Sequence, residues 1–438
     1  MNHQKVKYLF SYENQFDDKL NKFLLKREIE NIEVTKTVSE IINKIKVSGE
    51  NELISMINSF DKISCKEIKN IKVDQKSLKK AFDDLPIDLK NAMRTACNRI
   101  KSFHEKQVLK GFNYEDEIGV NLGLKYDPIK RVGFYAPGGK ALYPSSVLMN
   151  IIPSLVAGVE ERVLVSPIIL DKNSKILLAA AYLSEVTEFY RMGGAQSIAA
   201  LAMGTVSIKR VDKVVGPGNA YVAEAKRQLF GKVGIDSVAG PSEVLIIADK
   251  SNNPEWIAID LLSQAEHDEN AQSILITDDI SFANEVSEHI DKLLKILPRR
   301  KIASKSWYNN GLIIIINEMK EFITITNHIA PEHLELCIEN PKSYLNHIRN
   351  AGSIFLGKFT PEAIGDYIAG PNHVLPTGGT ARFSSGLGTS DFLRRTTYVQ
   401  CNEYNLNELS KHAQLLADAE GLDAHRISIN IRNKVSKS

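Results

Sequence analysis

Gln264 and His267 stand three residues apart near the end of an apolar run, within residues 260–270. Residues three apart share one face of a helix, so both side chains can point at one object. A neutral imidazole is the commonest metal ligand, and a side-chain amide offers a carbonyl oxygen. The pair alone is weak evidence, because a polar helix end with a hydrogen-bonded histidine explains it more simply.

Three other segments combine a histidine with a carboxylate: APEHLEL with Glu332 and His333, IGDYIAGPNH with Asp366 and His373, and AEGLDAHR with Glu420 and His425. Each has an ordinary explanation alone. A first-turn carboxylate such as Glu332 is favoured by a helix dipole, and an aspartate such as Asp366 stabilises turns. His425 fits the exposed face of an amphipathic helix. Four such segments in one chain favour a shared metal or catalytic site.

The composition is that of a globular protein. With 438 residues the chain is long for one hydrophobic core, so two or more domains are expected. Hydrophobic residues make up 43% of the chain and charged residues 25%. The net charge of +2 is too balanced to indicate nucleic acid or an anionic membrane as a partner.

The cysteines and the apolar segments favour a cytoplasmic protein. The four cysteines lie far apart without a CxxC pair, which is typical of reduced thiols rather than of disulfides or a zinc knuckle. The first residues contain no apolar core of a secretory signal. The apolar stretch 147–159 is interrupted by Asn150 and Pro153 and is too short to span a bilayer.

Hydrophobic patterning divides the chain into zones. Residues 1–129 are predicted to be mostly helical and charged, whereas from Arg131 strands alternate with helices, which indicates βαβ units and a parallel sheet. Predicted strands include RVGFY, RVLVSPI, EVLIIAD, SILITD, GLIIIIN and SIFLG. A Gly- and Pro-rich segment of functional character follows Phe359, and residues 407–433 return to a helical period.

Local signals place the candidate residues on this framework. Asn253 followed by Pro254 predicts the start of the helix that carries Gln264 and His267. Glycine-rich turns at 137–139, 193–194 and 216–218 follow predicted strands, where open α/β sheets bind ligands. The incomplete dinucleotide motif at 216–221 lacks its third glycine, so nucleotide binding and ordinary tight turns remain equal alternatives.

Eight motifs, taken in order, resemble the histidinol dehydrogenase family. They are FYAPGGKALYPSSVLMN, GGAQSIAALAMGT, VVGPGNAYVAEAKRQLFG, IDSVAGPSEVLIIAD, DLLSQAEHDENAQ, HIAPEHLEL, GDYIAGPNHVLPTGGTARFSSGL and AEGLDAHR. The resemblance runs from about residue 131 to 426, and the N-terminal zone matches only in length and helical character. It implies oxidation of L-histidinol to L-histidine through histidinaldehyde, with two NAD⁺ and a bound zinc ion, as the last step of histidine biosynthesis.

The resemblance implies one zinc ion per subunit. Gln264 and His267 match two ligands, Asp366 matches a third, and His425 matches a fourth that the partner subunit donates. A set of two imidazoles, a carboxylate and an amide suits zinc, although manganese and cobalt also accept it. Histidinol offers an imidazole and an amine, so we expect the metal to anchor the substrate for two hydride transfers. The family's shared site implies a homodimer.

The resemblance also assigns Glu332 and His333 as the catalytic acid–base pair. Alcohol oxidation needs a base for the hydroxyl proton, and aldehyde oxidation needs a water that a carboxylate can activate. If both residues lay on a helix, they would diverge by about 100° and address different atoms. None of the four cysteines lies at a matched catalytic position, which disfavours a covalent thiohemiacetal.

The remaining assignments concern the ligands. By the same resemblance, the residues that match contacts to NAD are Tyr135, Gln196 and Asn219. Those expected to contact the substrate are Ser242, Gln264, His267, His333, Asp366, Glu420 and His425. His373 lies close to the same loop and is a second-tier candidate.

The predicted fold is an α/β architecture of two Rossmann-like parallel-sheet lobes with an N-terminal helical arm and a C-terminal helical tail. The arm spans residues 1–26, and a discontinuous lobe built from 27–134 and 242–387 carries the zinc and catalytic residues. A compact lobe, 135–241, contacts NAD, and the tail, 388–438, reaches the partner subunit. Two rival interpretations remain: a zinc hydrolase in which Glu332 activates metal-bound water, and a nucleotide-responsive binding protein without catalysis.

Overall fold

The computed structural model describes residues 6–27, 32–138, 142–238 and 240–435, and it confirms the α/β class. Gly139 of the first predicted glycine turn lies outside the described residues. Across the described part of the chain, each helix is too short or too polar to cross a lipid bilayer. All four cysteines are free thiols, as the spacing predicted.

The described residues form fifteen strands and fifteen α-helices. The strands are β1 (Lys7–Phe10), β2 (Lys72–Val73), β3 (Phe112–Glu115), β4 (Asn121–Pro128), β5 (Arg131–Tyr135), β6 (Glu161–Val165), β7 (Glu188–Tyr190), β8 (Lys213–Val215), β9 (Gly234–Ile235), β10 (Glu243–Ala248), β11 (Gln272–Thr277), β12 (Leu312–Ile315), β13 (His333–Cys337), β14 (Ser353–Leu356) and β15 (Leu393–Gln400). The helices are α1 (Phe16–Leu24), α2 (Ile32–Met56), α3 (Gln75–Asp83), α4 (Ile87–Glu105), α5 (Pro144–Ala157), α6 (Lys175–Leu183), α7 (Gly194–Met203), α8 (Ala220–Leu229), α9 (Pro254–Ala265), α10 (Ile280–Leu293), α11 (Arg300–Asn310), α12 (Phe322–Ile329), α13 (Glu362–Tyr367), α14 (Glu403–Ala419) and α15 (Asp423–Val435).

The two large sheets share one topology. The first, sheet A, has the order β1-β12-β11-β10-β13-β14, and all its strands are parallel. The second, sheet B, has the order β2-β7-β6-β5-β8-β9 and is parallel except for the β2–β7 pair. In each sheet five consecutive strands take the order 3-2-1-4-5, and a strand from the N-terminal zone pairs beside the third. Both sheets therefore contain the strand arrangement of a dinucleotide-binding half.

Buried strands explain why these segments form sheets. The segments EVLIIA, QSILIT and LIII are buried at every residue, because helices cover both faces of a parallel sheet. Asn253 caps α9 by accepting the Glu255 N–H at 2.8 Å, and Pro254 occupies the first helical position, as predicted.

A third, antiparallel sheet joins β15, β4 and β3, and it was not predicted. It carries the chain out to α14 and α15, which pack chiefly against each other. The predicted helical period of residues 407–433 is confirmed by these two helices.

The N-terminal zone contributes to both large sheets. Strand β1 belongs to sheet A, where it pairs with β12. Helices α2, α3 and α4 pack on sheet B, together with residues 132–233. The division into domains, which packing alone does not define, stays a prediction.

The expectation that Glu332 and His333 lie on a helix is wrong. His333 begins β13, in the interior of sheet A, between β10 and β14. Pro331 followed by an acid resembles a helix start, but the alternation of His333, Leu334, Glu335 and Leu336 matches the strand period. Within β13 neighbouring side chains therefore point to opposite faces of the sheet, whereas Glu332 lies just before the strand and is not bound by that alternation.

Candidate functional site

His333 is held as a neutral imidazole with one free nitrogen. Its Nδ1 lies 3.0 Å from the carbonyl oxygen of Glu243, and because a carbonyl only accepts, Nδ1 carries the proton. Nε2 is then the basic nitrogen, and it is buried without a hydrogen-bond partner among the described residues. Burial lowers the pKa of His333 to about 4, so the ring is uncharged at neutral pH. This arrangement leaves Nε2 available to accept a proton.

Glu332 is fixed by the same neighbouring strand. Its Oε2 accepts the backbone N–H of Glu243 at 2.9 Å, and the side chain is buried. Burial raises the pKa of Glu332 well above its usual value, and the carboxylates of Glu243 and Asp366 add to the rise. Oε2 is 3.7 Å from the His333 Nδ1, but the two do not form an ion pair because the imidazole is neutral.

The segment before this pair has an unusual backbone. Ala330 ends α12 in the left-handed region, with φ of 49°, which few residues other than glycine adopt. A Cβ on Gly352 would approach the Glu332 carbonyl oxygen to 2.6 Å, so no larger residue fits there without a shift. Such constraints cluster at functional sites, and here they set the entry into β13.

The side chain of Glu243 connects this pair to two distant segments. Its Oε1 lies 3.0 Å from the Nε of Arg27 and accepts the backbone N–H of Gly378 at 3.0 Å. The Arg27 Nε also donates to the Gln272 side chain at 2.8 Å. Both charged groups are buried, and burial raises the pKa of Glu243 while Arg27 opposes that rise. The first residue of β10 thus connects Arg27 of the N-terminal zone and the Gly-rich loop to Glu332 and His333.

Asp366 and His373 come together in the predicted loop, which is ordered and contains α13. The His373 Nδ1 lies 3.1 Å from the Asp366 carbonyl oxygen and 3.6 Å from its Oδ1. Burial acts to raise the pKa of Asp366, but the hydrogen bond from His373 and the electrostatic influence of the nearby imidazoles of His373, His333 and His267 bring it below its usual value. His333, Asp366 and His373 line one cavity.

Glu362 joins this group and was missed by the sequence analysis. Ligand atoms of His333, Glu362 and Asp366 all lie within 4.8 Å of one another, the geometry of a possible metal group. Glu362 is 3% exposed, and its Oε2 has no hydrogen-bond partner among the described residues. The sequence feature that could have identified Glu362 is its position four residues before Asp366, because this spacing places both side chains on one helix face. The six-residue α13 is too short to show that periodicity.

Gln264 and His267 occupy different environments at the end of α9. Gln264 lies in the last helical turn and is 0% exposed, with neither amide atom hydrogen-bonded in the described part of the chain. His267 follows the helix end and is exposed, within the electrostatic reach of Asp366 and His373. Since α13 packs against α9, the structure brings three of the four predicted ligands into one region.

His425 and Glu420 are not brought to this region. His425 is exposed on α15, and Glu420 is exposed at the end of α14. No hydrogen bond or ion pair joins either side chain to Gln264, His267 or Asp366 within the described residues of the single chain. Ser242, directly before β10, is half-buried, and its carbonyl accepts the Gln272 N–H at 2.9 Å.

The residues predicted to contact NAD lie at the carboxyl edge of sheet B. Tyr135 ends β5, and its hydroxyl accepts the Gly194 N–H, while burial raises its pKa to about 12. Gln196, in the first turn of α7, donates to Asp61 Oδ2 at 3.3 Å. Asn219 caps α8, with its Oδ1 3.1 Å from the Tyr221 and Val222 N–H groups.

A buried ion pair fixes the turn before Asn219. The Gly216 N–H donates to Asp236 at 2.8 Å, and the Gly216 carbonyl accepts from the Lys226 ammonium at 3.0 Å. Lys226 and Asp236 also pair with each other, and both side chains are buried. Gly216 has φ of 120°, and an added Cβ would meet the Tyr135 carbonyl oxygen at 2.2 Å. The turn therefore needs glycine for backbone contact with β5.

The amide, carboxylate and imidazole groups of this region fit a metal ion. The buried, unpartnered Gln264 amide is unfavourable unless a group outside this chain satisfies it. Asp366 supplies a carboxylate beside several imidazoles, and no cysteine belongs to the clustered donors among the described residues. An N/O set without thiolate suits zinc or a similar divalent ion.

Known proteins resemble this chain along nearly its whole length. The family model described as histidinol dehydrogenase matches residues 24–433. Histidinol dehydrogenase 1 of Trichormus variabilis is 48% identical over 422 residues, covering 96% of this chain and 97% of the relative. Histidinol dehydrogenase of Nitrosomonas europaea is 46% identical over 428 residues, covering 98% and 99%. The crystal structure of histidinol dehydrogenase from Elizabethkingia anophelis has a TM-score of 0.92, 33% identity and full coverage of both chains.

Replacing Gln264 by Leu is expected to stabilise the metal-free protein. The change removes two buried polar atoms that lack partners, and such atoms each cost about 1–3 kcal/mol. Urea unfolding in the presence of a chelator should show a free energy of unfolding about 1 kcal/mol higher than that of the wild type. Gln272→Leu is the matched control, because Gln272 is equally buried but accepts from Arg27, so its loss should destabilise. A destabilised Gln264→Leu protein would show that the amide has a partner in the folded chain.

Proposed function

Because the chain belongs to the histidinol dehydrogenase family, we propose that it oxidises L-histidinol to L-histidine through histidinaldehyde, with two NAD⁺ as hydride acceptors. This reaction is the last step of histidine biosynthesis. The observation that carries the proposal is the neutral His333, whose buried Nε2 has no partner among the described residues, in the wall of the cavity that contains Asp366. We also propose a cytoplasmic location, in keeping with four free thiols.

His333 serves as the base in both halves of the proposed reaction. In the first half its Nε2 takes the hydroxyl proton of histidinol while hydride leaves the adjacent carbon for nicotinamide, which yields the aldehyde and NADH. In the second half it takes a hydroxyl proton from the aldehyde hydrate while a second hydride leaves, which yields the carboxylic acid. Between the two halves Nε2 releases its proton to solvent, and the hydrogen bond from Nδ1 to the Glu243 carbonyl ensures that the lone pair returns to Nε2.

Glu332 has a role in the second half only. A water must add to the aldehyde carbon, and the Glu332 carboxylate accepts the proton that this water loses and returns it to the former carbonyl oxygen, which gives the hydrate. Its raised pKa matches this task, because a carboxyl group that titrates closer to neutrality exchanges protons more readily. The Glu243 N–H holds Oε2, which leaves Oε1 for the water.

The proposed metal site is completed by a second subunit. Gln264, His267 and Asp366 would hold the ion with His425 of the partner subunit, one ion per subunit. Bound zinc would anchor the imidazole and amine of histidinol and thereby orient the carbinol carbon. Ser242 and Glu420 are proposed substrate contacts, and Tyr135, Gln196 and Asn219 are proposed contacts to NAD.

The surface of the tail supports a dimer. Helices α14 and α15 expose large apolar side chains, among them Leu415, Leu416, Ile427 and Ile431. A patch of this kind on a folded domain marks an interaction surface, and a second copy related by two-fold symmetry would cover it. The same contact would carry the exposed His425 to a site that its own chain leaves incomplete.

The test of the function is NADH formation. Purified protein with histidinol and NAD⁺ should show rising absorbance at the NADH band, and a chelator should abolish the rise until Zn²⁺ is added back. A zinc hydrolase or a binding protein gives no NADH, so an absent signal in metal-loaded protein rejects the proposal. Full activity in protein shown to be metal-free by elemental analysis rejects the role of zinc alone.

Glu332→Gln is expected to slow aldehyde oxidation by about 10²–10⁴-fold and to have only a small effect on alcohol oxidation. The reason is that only the second half of the reaction needs an activated water. His333→Asn should slow both halves and leave the metal bound. Separate assays with histidinol and histidinaldehyde measure the two halves. The exposed Glu339→Gln and His347→Asn proteins are matched controls that should keep both activities. Equal losses in both halves for Glu332→Gln would remove its assigned role.

Inactive His267→Asn and His425→Asn proteins should regain activity when they are refolded together. In a shared-site dimer, a mixed pair has one site with both lesions and one with none. Random assortment makes about half the dimers mixed, so roughly a quarter of the sites should recover. If mixed dimers form, as native mass spectrometry can show, and no activity returns, then His425 serves its own chain.

A further inference from the structure

The N-terminal zone places an aspartate at the start of α7. A π-helical turn, Ile57–Asp61, extends α2, and the following Lys62 has φ of 55°, in the left-handed region. π-Helical turns are rare and are frequent at functional sites. Asp61 Oδ2 accepts the Gly193 N–H and the Gln196 side-chain N–H, each at 3.3 Å. The π-helical turn thus places the Asp61 carboxylate next to the start of α7.

This carboxylate lies among the proposed cofactor contacts. Gln196 is one of them, and Tyr135 is another, whose hydroxyl accepts from Gly194 at the same helix start. Asp61 is also close enough to Tyr135 for its charge to act on the tyrosine hydroxyl. Tyr135 ends β5 and Gln196 follows β7, so Asp61 meets both at the carboxyl edge of sheet B, where open α/β sheets bind dinucleotides.

The charge of Asp61 bears on which ligand this edge accepts. The N-terminus of α7 would otherwise attract an anion, but Asp61 accepts the N–H of Gly193, the residue before the helix, and places a negative charge there. Both hydrogen bonds go to Oδ2, and among the described residues no donor is bound to Oδ1. An unpaired carboxylate oxygen accepts from a ribose hydroxyl and repels a phosphate.

We propose that Asp61 binds the adenosine ribose of NAD⁺ and excludes the 2′-phosphate of NADP⁺. The inference rests on the proposed NAD-dependent function and adds a selectivity residue that the motifs of residues 131–426 do not contain. It assigns a ligand-binding role to a zone with no catalytic motif. Asp61 touches cofactor in this scheme, so its removal should change the choice of cofactor and not only the stability of the fold.

A purely structural role makes a different prediction. Gly193 provides no side chain to cap α7, so Asp61 could serve only as a cap supplied by a distant segment. Loss of such a cap lowers stability and affects both dinucleotides alike. Asp74→Asn is a matched control, because Asp74 also accepts a helix N–H, from Ser77 at 2.7 Å, in the same zone but on α3.

The experiment compares NAD⁺ and NADP⁺ in wild-type, Asp61→Asn, Asp61→Ser and Asp74→Asn proteins. The wild type should prefer NAD⁺, and the ratio of kcat/KM for NAD⁺ to that for NADP⁺ should fall at least tenfold in both Asp61 variants. This fall in the ratio should come from changes in KM rather than in kcat. The same ratio for the Asp74→Asn control should stay within twofold of the wild-type ratio. A wild type that uses both dinucleotides equally, or Asp61 variants with an unchanged ratio, overturns the proposal.

Equilibrium binding separates this proposal from the function on which it rests. Titration of each dinucleotide, followed by calorimetry, reports selectivity even when histidinol gives no NADH. Selective binding lost in the Asp61 variants supports the role of Asp61 whatever the substrate is. A wild type that binds neither dinucleotide overturns both proposals. If one variant fails to fold, the other variant and the wild-type preference still decide the outcome.

Discussion

The site depends on the first residue of β10. Glu243 uses its backbone N–H to hold Glu332 and its carbonyl to hold His333, and its carboxylate binds Arg27 and the backbone of Gly378. Because the N–H and carbonyl belong to a buried strand, their positions are as rigid as sheet A itself. A base whose tautomer is set by a backbone carbonyl needs no further side chain to select it. The proposed general base is thereby oriented by strand pairing rather than by a network of mobile side chains.

The two lobes use the same topology in opposite ways. Sheet B presents the carboxyl ends of its strands to the proposed cofactor, in agreement with the rule for open α/β sheets. Sheet A instead presents amino ends, since Glu243 and His333 are the first residues of β10 and β13. The Gly-rich loop after Phe359 joins the two, because Asn372 donates to the Met149 carbonyl at 2.6 Å and Gly378 donates to Glu243. Order in this loop comes from contacts with both lobes.

Sequence patterns predicted the parts of the fold that rest on local signals. Continuous apolar runs identified the central strands, and the Asn253–Pro254 start identified α9. Strands β1 and β15 were missed because their pairing partners are remote in sequence, and β13 was misread because Pro331 and Glu332 imitate a helix start. The repeated strand order is invisible in the sequence, since topology does not require similar residues.

The candidate site shows the same division between local and remote signals. Motifs identified His333, Asp366 and Gln264, and the structure brings these residues into one region. Glu362 was missed because a six-residue helix carries too little periodicity. The partners of Glu243 could not be found, because an ion pair between an N-terminal arginine and a mid-chain strand leaves no local trace. The proposed role of His425 requires a second subunit, so a single chain does not test it.

The Arg27–Glu243 pair also determines how the molecule would respond to proteolysis. Arg27 follows α1, close to the start of the chain, where trimming is usually tolerated. Cleavage after this residue would remove β1, α1 and the guanidinium together, and it would leave the Glu243 carboxylate buried without its cation. The damage would then reach the strand that holds Glu332 and His333. Cleavage near the amino terminus would therefore inactivate the protein. The fraction of chains with an intact amino terminus would then report the fraction of a preparation that can be active.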